Sequence, residues 1–487
     1  MSHTPEILPE HVEASRLESS HIDVIDRMDR HGTARDLFPV WFSGNLSIGN
    51  AIFGALAIVV GNSFWWAVIA VLIGNLVGGT FMALHSVQGA RLGVPQLIQS
   101  RGQFGFLGAL LPVTLAAFLY LGFFVVTAVL GGQALSAAMP NTFSVHGGLV
   151  LLGVLSLAIA LLGYRAIHFA ARWAMWPLAA VVVVVTIGSI SHGGVEMAMG
   201  SFYIGPFFTA VGLMATFLLT YAPYVSDYSR YLPEDTSASA CFGWTFSGVV
   251  LSSTWCALLG VVLAAQFGGT DMFLATRNVI GIDLIAVVTL LVTAVGIAGN
   301  NALNLYGSML NLITAISSVK DVRPSVLIRL AFLLPTFGVG LWLALGATDN
   351  FSAELTNFLS FLTLGFVPWG AINLLDFYLV RHGHYDVRAF FTRRGGVYNH
   401  DPATWTYGGV NLQAFLAYVV GVTVGLPFVT NGWYAGPMAE KLGGADVSWI
   451  PGLLVTGGVY LAVTRFAAGH AVGQPAPFDS TLTEGAR

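Results

Sequence analysis

Charged side chains are scarce in this chain of 487 residues, and their scarcity excludes an ordinary soluble fold. Asp, Glu, Lys and Arg make up 9% of the sequence, whereas soluble domains carry about 25%. Apolar residues make up 55%. The net charge is −4 and no basic cluster occurs, so nothing in the sequence indicates binding to nucleic acid.

Several chemical motifs are also missing. The two cysteines, Cys241 and Cys256, fall in or near one apolar run, so a disulfide framework is not expected. The chain lacks a G-x-x-x-x-G-K-[ST] phosphate loop, which argues against a pump driven by nucleotide hydrolysis. It also lacks an H-E-x-x-H motif, a Cys/His metal set and a G-x-S-x-G elbow. We therefore expect no enzyme activity, no metal site and no organic cofactor.

The sequence does contain a series of apolar runs that could cross a bilayer. They reach or approach the roughly 20 residues that a membrane helix needs, and they lack the alternating pattern of barrel strands. Backbone groups in lipid need internal partners, so these runs are predicted to be helices. The prediction is an all-α polytopic membrane protein with twelve spans, which we number one to twelve in chain order: 38–60, 65–88, 107–136, 147–164, 169–190, 205–225, 243–266, 283–316, 326–346, 353–377, 411–430 and 449–466.

Positive charges orient these spans. With the N-terminus in the cytoplasm, only Arg277 and Lys441 of the 20 Lys and Arg residues lie outside, as the positive-inside rule requires. The sequence thus predicts a multi-pass protein of the cytoplasmic membrane with both termini inside. The residues on the inner side are Arg16, Arg27, Arg30, Arg35, Arg91, Arg101, Arg165, Arg172, Arg230, Lys320, Arg323, Arg329, Arg381, Arg388, Arg393, Arg394, Arg465 and Arg487.

The spans divide the chain into five segments. Residues 1–36 are polar, lack the apolar centre of a signal peptide, and are predicted to be a cytoplasmic tail. Residues 37–377 form a ten-helix transport core, 378–410 a cytoplasmic loop with little structure, 411–466 the last two helices, and 467–487 a second cytoplasmic tail. Neither tail is long enough to be a folded signalling domain. This disfavours a receptor, and no obligate protein partner is expected.

Two spans contain residues that would interrupt a helix. Span one carries Trp41–Asn50, with Ser43 and Asn45 among its polar side chains. Span six carries Leu219–Pro223, where Tyr221 precedes a proline that frees a backbone carbonyl about one turn upstream. Interrupted helices one and six are what an inverted repeat of five plus five helices predicts, and their open ends can hold a substrate. We predict a secondary transporter, because a channel would need a continuous polar stripe rather than isolated polar groups.

Span eight has the densest set of polar side chains. Asn300 and Asn304 are four residues apart and share one helix face, and Asn301 lies beside them. Each amide offers donors and an acceptor, which matches the edge of a planar heterocycle with C=O and N–H groups. The alternative is that these amides only join neighbouring helices by hydrogen bonds.

Span three supplies a candidate stacking surface. Phe123 and Thr127 lie on one helix face, so the ring could stack on a flat ligand while the hydroxyl binds its edge. Tyr221 could cover the opposite side of the ligand. The alternative for Phe123 and Thr127 is ordinary core packing.

Ionisable side chains gather near the inner ends of spans. Asp227 and Arg230 follow span six, and Asp376 lies near the end of span ten. Their predicted role is local pairing or gating at the cytoplasmic face. His85 in span two is interpreted as a hydrogen-bonded structural residue rather than a proton carrier.

Several short motifs resemble the purine/cytosine permease branch of the nucleobase–cation symporter family, type one. They lie in the loop after span two, after span six, in span eight and at the end of span ten. Individually these motifs are short, but together they are specific for the family. They are QGARLGVPQ at Gln88–Gln96, SRGQFG at Ser100–Gly105, YVSDYSRYLP at Tyr224–Pro233, NLYG at Asn304–Gly307 and LDFYL at Leu375–Leu379.

This resemblance implies a LeuT-type core, made of two inverted five-helix repeats, that imports a nucleobase or related heterocycle with a cation. Family members stack the substrate between aromatic residues of spans three and six and bind it from spans one, three and eight. The matching substrate-binding positions here are Ser43, Asn45, Phe123, Thr127, Tyr221, Asn300, Asn301 and Asn304.

The chain departs from the family pattern at several of these positions. Phe123 stands where the family has Trp, and Thr127 where it has Asn or Gln, so the preferred base can differ from that of close relatives. Ala298 and Gly299 stand where sodium-coupled members carry hydroxyls. Proton coupling is therefore expected, with sodium as the alternative. Another flat heterocycle, such as allantoin, a hydantoin or a vitamin pyrimidine, is the alternative substrate.

Overall fold

The computed structural model describes residues 24–162, 164–320 and 326–468. Within these ranges the chain is mostly helical, and its one paired sheet is a small hairpin. Outside them lie residues 1–23 and 469–487 of the predicted tails, Arg16, Arg323 and Arg487, and the side chains of Arg165 and Arg172.

Helices of the predicted kind dominate the described residues. Ten are long and apolar enough to cross a membrane, and a bent pair forms an eleventh span. Span eleven, Leu412–Gly425, is a shorter apolar helix that one 3-10 turn extends to Phe428. The number twelve therefore stays a prediction. The ten long helices are spans two to ten and span twelve: Phe64–Leu92, Leu110–Ala138, Val145–Leu162, Tyr164–His192, Ile204–Leu219, Ala238–Phe267, Asp283–Val319, Val326–Ala347, Phe351–Leu375 and Trp449–Ala468.

The connections contain short elements of their own. A two-stranded antiparallel hairpin pairs Thr406–Tyr407 with Val410–Asn411 in the loop before span eleven. Short helices lie after spans two, six and seven and before span twelve. They are Gln96–Phe104, Ser226–Ser229, Met272–Ile280 and Pro437–Lys441.

The loop after span ten, which is predicted to be cytoplasmic, contains more structure than the sequence indicated. Span ten continues as a π-helical turn, Asp376–Val380. Tyr385, Phe390 and Tyr398 are buried beyond it, and the rings of Phe390 and Tyr398 stack with centroids 5.0 Å apart. These aromatic residues form a small core in the loop. The mainly polar composition of the segment did not indicate it.

Span one is broken, as predicted. Its two halves, Ala34–Asn45 and Ile48–Val59, meet at an angle of 72°. The Ser47 hydroxyl accepts a hydrogen bond from the Gly49 amide at 3.2 Å, and the Asn50 side chain donates to the Asn45 carbonyl at 2.9 Å. Polar side chains near the break thus supply partners for backbone groups that the bend releases.

Span six is also interrupted, although residues 204–224 still run as one span. Its α-helix ends at Leu219, and a 3-10 turn follows over Ala222–Tyr224. Pro223 has no amide hydrogen and cannot continue the helical hydrogen-bond pattern. The Thr220 hydroxyl donates to the Phe217 carbonyl at 2.6 Å, which satisfies one of the last carbonyls of the helix.

Glycines allow span one to lie directly against span seven. A Cβ atom on Gly54 would lie 1.8 Å from the carbonyl oxygen of Ala257, and one on Gly260 would lie 1.8 Å from that of Ala51. Small residues at such crossings let helix backbones approach closely in membranes. The outer half of the broken span is therefore held by backbone contact.

We predict that Gly260→Ala destabilises the protein. The added methyl group collides with the backbone at Ala51, and overpacking of this kind costs about 1–3 kcal/mol. Gly243→Ala, in the same helix, is the control because a Cβ there meets no atom within 4 Å. Thermal unfolding in detergent should be lowered for Gly260→Ala alone. Equal unfolding temperatures for both variants would contradict the close contact.

Candidate functional site

The two helix breaks meet in the interior. The Tyr221 hydroxyl donates to Asn45 Oδ1 at 2.9 Å, and Asn45 is fully buried. The Asn45 side chain also donates to the Trp41 carbonyl at 3.1 Å. The Trp41 ring lies 5.9 Å from the Tyr221 ring. One hydrogen bond and the ring contacts of Trp41 with Tyr221 and Tyr224 therefore join the interrupted parts of spans one and six.

Spans three and eight are joined at Thr127. Its hydroxyl donates to Asn301 Oδ1 at 2.5 Å and lies 2.6 Å from the Phe123 carbonyl. The Asn304 amide donates to the same hydroxyl at 3.4 Å. A threonine hydroxyl has one hydrogen to donate, so its bond to Asn301 competes with its bond to the backbone. The Thr127 hydroxyl can therefore exchange one hydrogen-bond partner for another at little cost, as a group that binds a ligand must.

Asn300 has the most accessible amide of span eight. It is exposed, and its side chain makes no hydrogen bond among the described residues. Gly296, one turn away on the same face, lies against span five, since a Cβ there would lie 2.8 Å from the Leu178 side chain. Asn304 is the next residue on this face and is half-buried. The face that carries both amides therefore contacts span five at Gly296 and span three at Asn304.

A layer of aromatic rings lies beside these amides. Tyr120 of span three covers Gly307, where a Cβ would lie 2.8 Å from its ring. The Tyr120 and Tyr224 rings have centroids 5.5 Å apart, and Tyr224 lies 5.7 Å from Tyr221. Sequence analysis gave Tyr224 and Trp41 no role. Their positions next to the two predicted breaks were the signal that could have identified them.

The predicted stacking pair is not in mutual contact. The Phe123 ring contacts Phe358 of span ten edge to face, with centroids 5.4 Å apart. Tyr221 instead contacts the aromatic residues of spans one and six. Ser43 is half-buried, and its hydroxyl bonds only to the Val40 carbonyl in its own helix, at 3.4 Å. The described hydrogen bonds therefore do not connect Ser43 to the other candidates.

Asp376 lies in a buried ionic cluster at the predicted inner end of span ten. Arg381 Nε lies 3.1 Å from Asp376 Oδ2. The hydroxyls of Tyr385 and Tyr460 donate to the two carboxylate oxygens at 2.5 Å and 2.7 Å. A cation and two hydroxyl donors hold this carboxylate in one orientation. This arrangement corresponds to local pairing.

A chain of buried amides leads to this cluster. Gln96 donates to Gln88 at 3.0 Å, Gln88 to Asn373 at 2.7 Å, and Asn373 to Gln103 at 3.4 Å. Gln103 then donates to the Tyr385 hydroxyl at 2.9 Å. All four amide side chains are at most 1% exposed. We call these four residues the amide chain; it joins spans two and ten to the loop after span two.

Asp227 and Arg230 lie on or just after the short helix Ser226–Ser229. The Gln96 backbone amide donates to Asp227 Oδ1 at 2.9 Å. The Arg230 guanidinium lies over the Tyr231 ring, 5.0 Å from its centroid. Asp227 is half-buried and Arg230 is 4% exposed. The start of the amide chain is thus in direct contact with the inner end of span six.

The described residues contain no group of three or more His, Cys, Asp or Glu side chains that could hold a metal ion. His85 is buried, its Nδ1 lies 2.8 Å from the Phe81 carbonyl, and its ring stacks on Trp369. The Ser156 hydroxyl donates to the Ala298 carbonyl at 3.0 Å. Sodium-coupled members of the family carry a side-chain hydroxyl at this position. Here the Ala298 carbonyl already accepts a hydrogen bond that joins two packed helices.

A cavity of about 380 Å³ lies elsewhere, at the predicted outer end of the bundle. It is bordered by spans one, six and ten and by the loop before span twelve. Asn357 on its wall accepts a hydrogen bond from the Gly432 amide at 2.6 Å. This amide is therefore used to hold the loop against span ten.

We predict that Asn373→Leu lowers the thermal stability of the protein. The change keeps the side-chain volume but leaves Gln88 and Gln103 each without one partner, and each buried unpaired group costs about 1–3 kcal/mol. Asn350→Leu is the control, because Asn350 is exposed and caps no backbone group. If Asn373→Leu unfolds at the wild-type temperature in detergent, the amide chain does not contribute to stability.

Comparisons with known proteins place this arrangement in one class. A family model described as a permease for cytosine/purines, uracil, thiamine and allantoin matches residues 24–452. The candidate purine-cytosine permease YxlA of Bacillus subtilis is 34% identical over 461 residues, covering 92% of this chain and 96% of YxlA. Purine-cytosine permease fcyB of Emericella nidulans is 24% identical over 455 residues, covering 88% and 84%.

The solved structure of Mhp1, a nucleobase-cation-symport-1 family transporter, has the same fold. In its closed conformation with bromovinylhydantoin bound, it superposes with a TM-score of 0.70 at 19% identity, covering 93% of this chain and 96% of Mhp1. This likeness confirms the predicted LeuT-type all-α architecture. The chain is a multi-pass membrane transporter. It belongs to the nucleobase–cation symporter family, type one, as the sequence motifs indicated.

Proposed function

We propose that this protein imports a purine or pyrimidine base together with a cation, by alternating access. One observation carries the proposal. Hydroxyl and amide groups of spans three and eight cluster at Thr127, and spans one and six are broken and joined through Asn45 and Tyr221. Discontinuous helices that face each other at mid-membrane are where transporters of this architecture bind substrate.

The proposed ligand lies against the face of span eight that carries Asn300 and Asn304, with Asn301 and Thr127 behind it. Amides that both donate and accept match the alternating C=O and N–H edge of a nucleobase. Aromatic rings from spans three and six cover its flat faces. Phe123 and Tyr221 remain the proposed stacking residues, and Ser43 remains a candidate. Asp227, Arg230 and Asp376 are proposed to act in gating or local pairing at the inner side.

The coupling ion is proposed to be a proton. Ala298 and Gly299 provide no side-chain oxygen for sodium, and the Ala298 carbonyl already accepts from Ser156. Sodium prefers several hard oxygen ligands, as other hard cations do. The proposed location is the cytoplasmic membrane, with both termini in the cytoplasm, because the Lys and Arg residues follow the positive-inside rule.

A second candidate substrate is another flat heterocycle. The family description includes thiamine and allantoin, and the related Mhp1 structure holds a hydantoin. Hydantoins and allantoin carry ring C=O and N–H groups as nucleobases do, and thiamine carries a flat aminopyrimidine ring. Competition of unlabelled allantoin, a hydantoin and a pyrimidine vitamin against labelled adenine, hypoxanthine, cytosine and uracil separates the two possibilities. If only the non-nucleobase competitors reduced the uptake of labelled base, the preferred substrate would be reassigned to another flat heterocycle.

We predict that Asn300→Ala and Asn301→Ala each abolish or strongly reduce uptake of the preferred base. Loss of one buried amide contact costs about 1–3 kcal/mol, which is roughly a tenfold to hundredfold loss of affinity. Uptake into proteoliposomes measures the effect, and chromatography checks that each variant is folded. Asn350→Ala, at an exposed position, is the control. Wild-type uptake by both span-eight variants would remove the binding-site assignment.

We also predict that uptake is independent of sodium. Replacing sodium by choline at constant pH should leave the initial rate unchanged, because no hydroxyl stands at positions 298 and 299. Collapsing the pH gradient with a protonophore should stop accumulation. Strict dependence on sodium would reverse the choice of coupling ion.

A further inference from the structure

Asp227 differs from the other acidic side chains near the inner ends of the spans. Its Oδ1 accepts one hydrogen bond, from the Gln96 backbone amide at 2.9 Å. No other hydrogen bond or ion pair of Asp227 occurs within the part of the chain that is described. Asp376, by contrast, is held by Arg381, Tyr385 and Tyr460. Asp227 is therefore free to gain or lose a proton without breaking an ion pair.

The position of Asp227 connects it to the candidate binding site. Its charge acts on the hydroxyls of Tyr120 and Tyr224, whose rings are in contact with each other. Tyr120 covers Gly307 on the span-eight face of Asn304. The contacts of Tyr224 with Tyr120, and of Tyr120 with Gly307, therefore link the segment of Asp227 to the face that carries the amides proposed to bind the base.

The groups that face Asp227 are few. Tyr120 comes from span three, Tyr224 and Tyr228 from its own segment, and Gln96 from the helix after span two. Arg230 is the one cation whose charge acts on it. The titration of Asp227 is thus set by its burial, opposed by one nearby positive charge and one backbone donor.

We propose that Asp227 is the proton-binding group of the transport cycle, coupled to the base through the layer of Tyr120 and Tyr224. The proposal rests on the proposed function of nucleobase–proton symport. The carboxylate takes one proton from water on the side where the substrate binds and becomes a neutral carboxylic acid. It returns that proton to water on the cytoplasmic side after the base has left, so one positive charge crosses with each base.

The electrostatics of the site permit this exchange near physiological pH. Burial raises the pKa of Asp227 from 3.8 to about 6, although Arg230 and the Gln96 amide oppose the shift. With a raised pKa, the carboxyl holds its proton below about pH 6 and releases it above that pH. An Asp with an unperturbed pKa would stay ionised on both sides of pH 6. A protonated Asp227 therefore releases its proton at neutral cytoplasmic pH and becomes charged.

The test compares Asp227→Asn with the wild type in proteoliposomes. The probe is whichever of adenine, hypoxanthine, cytosine and uracil the wild type takes up fastest. An inward pH gradient of one unit should drive about tenfold accumulation per proton in the wild type. Asp227→Asn should lose this accumulation and its pH dependence, yet keep exchange of labelled for unlabelled base, which needs no net proton movement.

Two further variants complete the design. Asp227→Glu should restore accumulation, since it restores a titratable carboxyl. Asp235→Asn is the matched control, because it removes an exposed carboxylate from the same inner loop and should accumulate like the wild type. Accumulation by Asp227→Asn would overturn the proposal. Loss of exchange in Asp227→Asn, with no rescue by Asp227→Glu, would also overturn it, because the role would then be structural.

An infrared measurement separates this proposal from the proposed function. The protonated-carboxyl signal that disappears as the pH rises through about 6 in the wild type should be smaller by one carboxyl group in Asp227→Asn. The band does not depend on which substrate is carried. If the wild type transports none of the four bases, the proposed function is wrong. The infrared band still shows whether Asp227 titrates near pH 6. A spectrum that is the same in both proteins would refute the assignment.

Discussion

The structure depends on one constraint: a helix broken inside a bilayer must find partners for the backbone groups that the break releases. Spans one and six meet this requirement locally. Ser47 and Asn50 supply partners at the first break, and the hydroxyl of Thr220 does so at the second. The Tyr221–Asn45 hydrogen bond then ties the two breaks together. The interruptions are therefore stable features that leave polar groups in the interior, where a small polar molecule can be bound.

Buried amides have two different roles in this protein. In the amide chain each side chain has donor and acceptor partners, so the inner ends of spans two and ten are held in one geometry. Near Thr127 the partners are shared, and Asn300 has none among the described residues. A fully satisfied polar network stiffens a structure, whereas a partly satisfied one is available to a ligand. The same residue type thus forms a rigid scaffold and an adaptable site.

Carboxylates divide in the same way. Asp376 is held by a cation and two hydroxyls. Asp227 lies among tyrosines with one backbone donor, and its pKa is raised by burial. Both belong to motifs shared with the family, and the motifs alone do not distinguish a carboxylate held in an ion pair from one without such a partner. Neighbouring side chains from other spans make that distinction.

Most of the spans, the break in span one, the end of the span-six helix and the family could be predicted from the sequence, because hydrophobic length, glycine, proline and short motifs are local properties. The ordered core around Phe390, the bond of Tyr460 to Asp376 and the position of Asp227 near Tyr120 could not, since these join segments far apart in the chain. The sequence grouped Asn300, Asn301 and Asn304, but packing of the helices places Asn301 against Thr127 and leaves Asn300 open. Helical periodicity predicts which residues share a face of span eight. Only packing against spans three and five determines which of these faces a neighbouring helix covers.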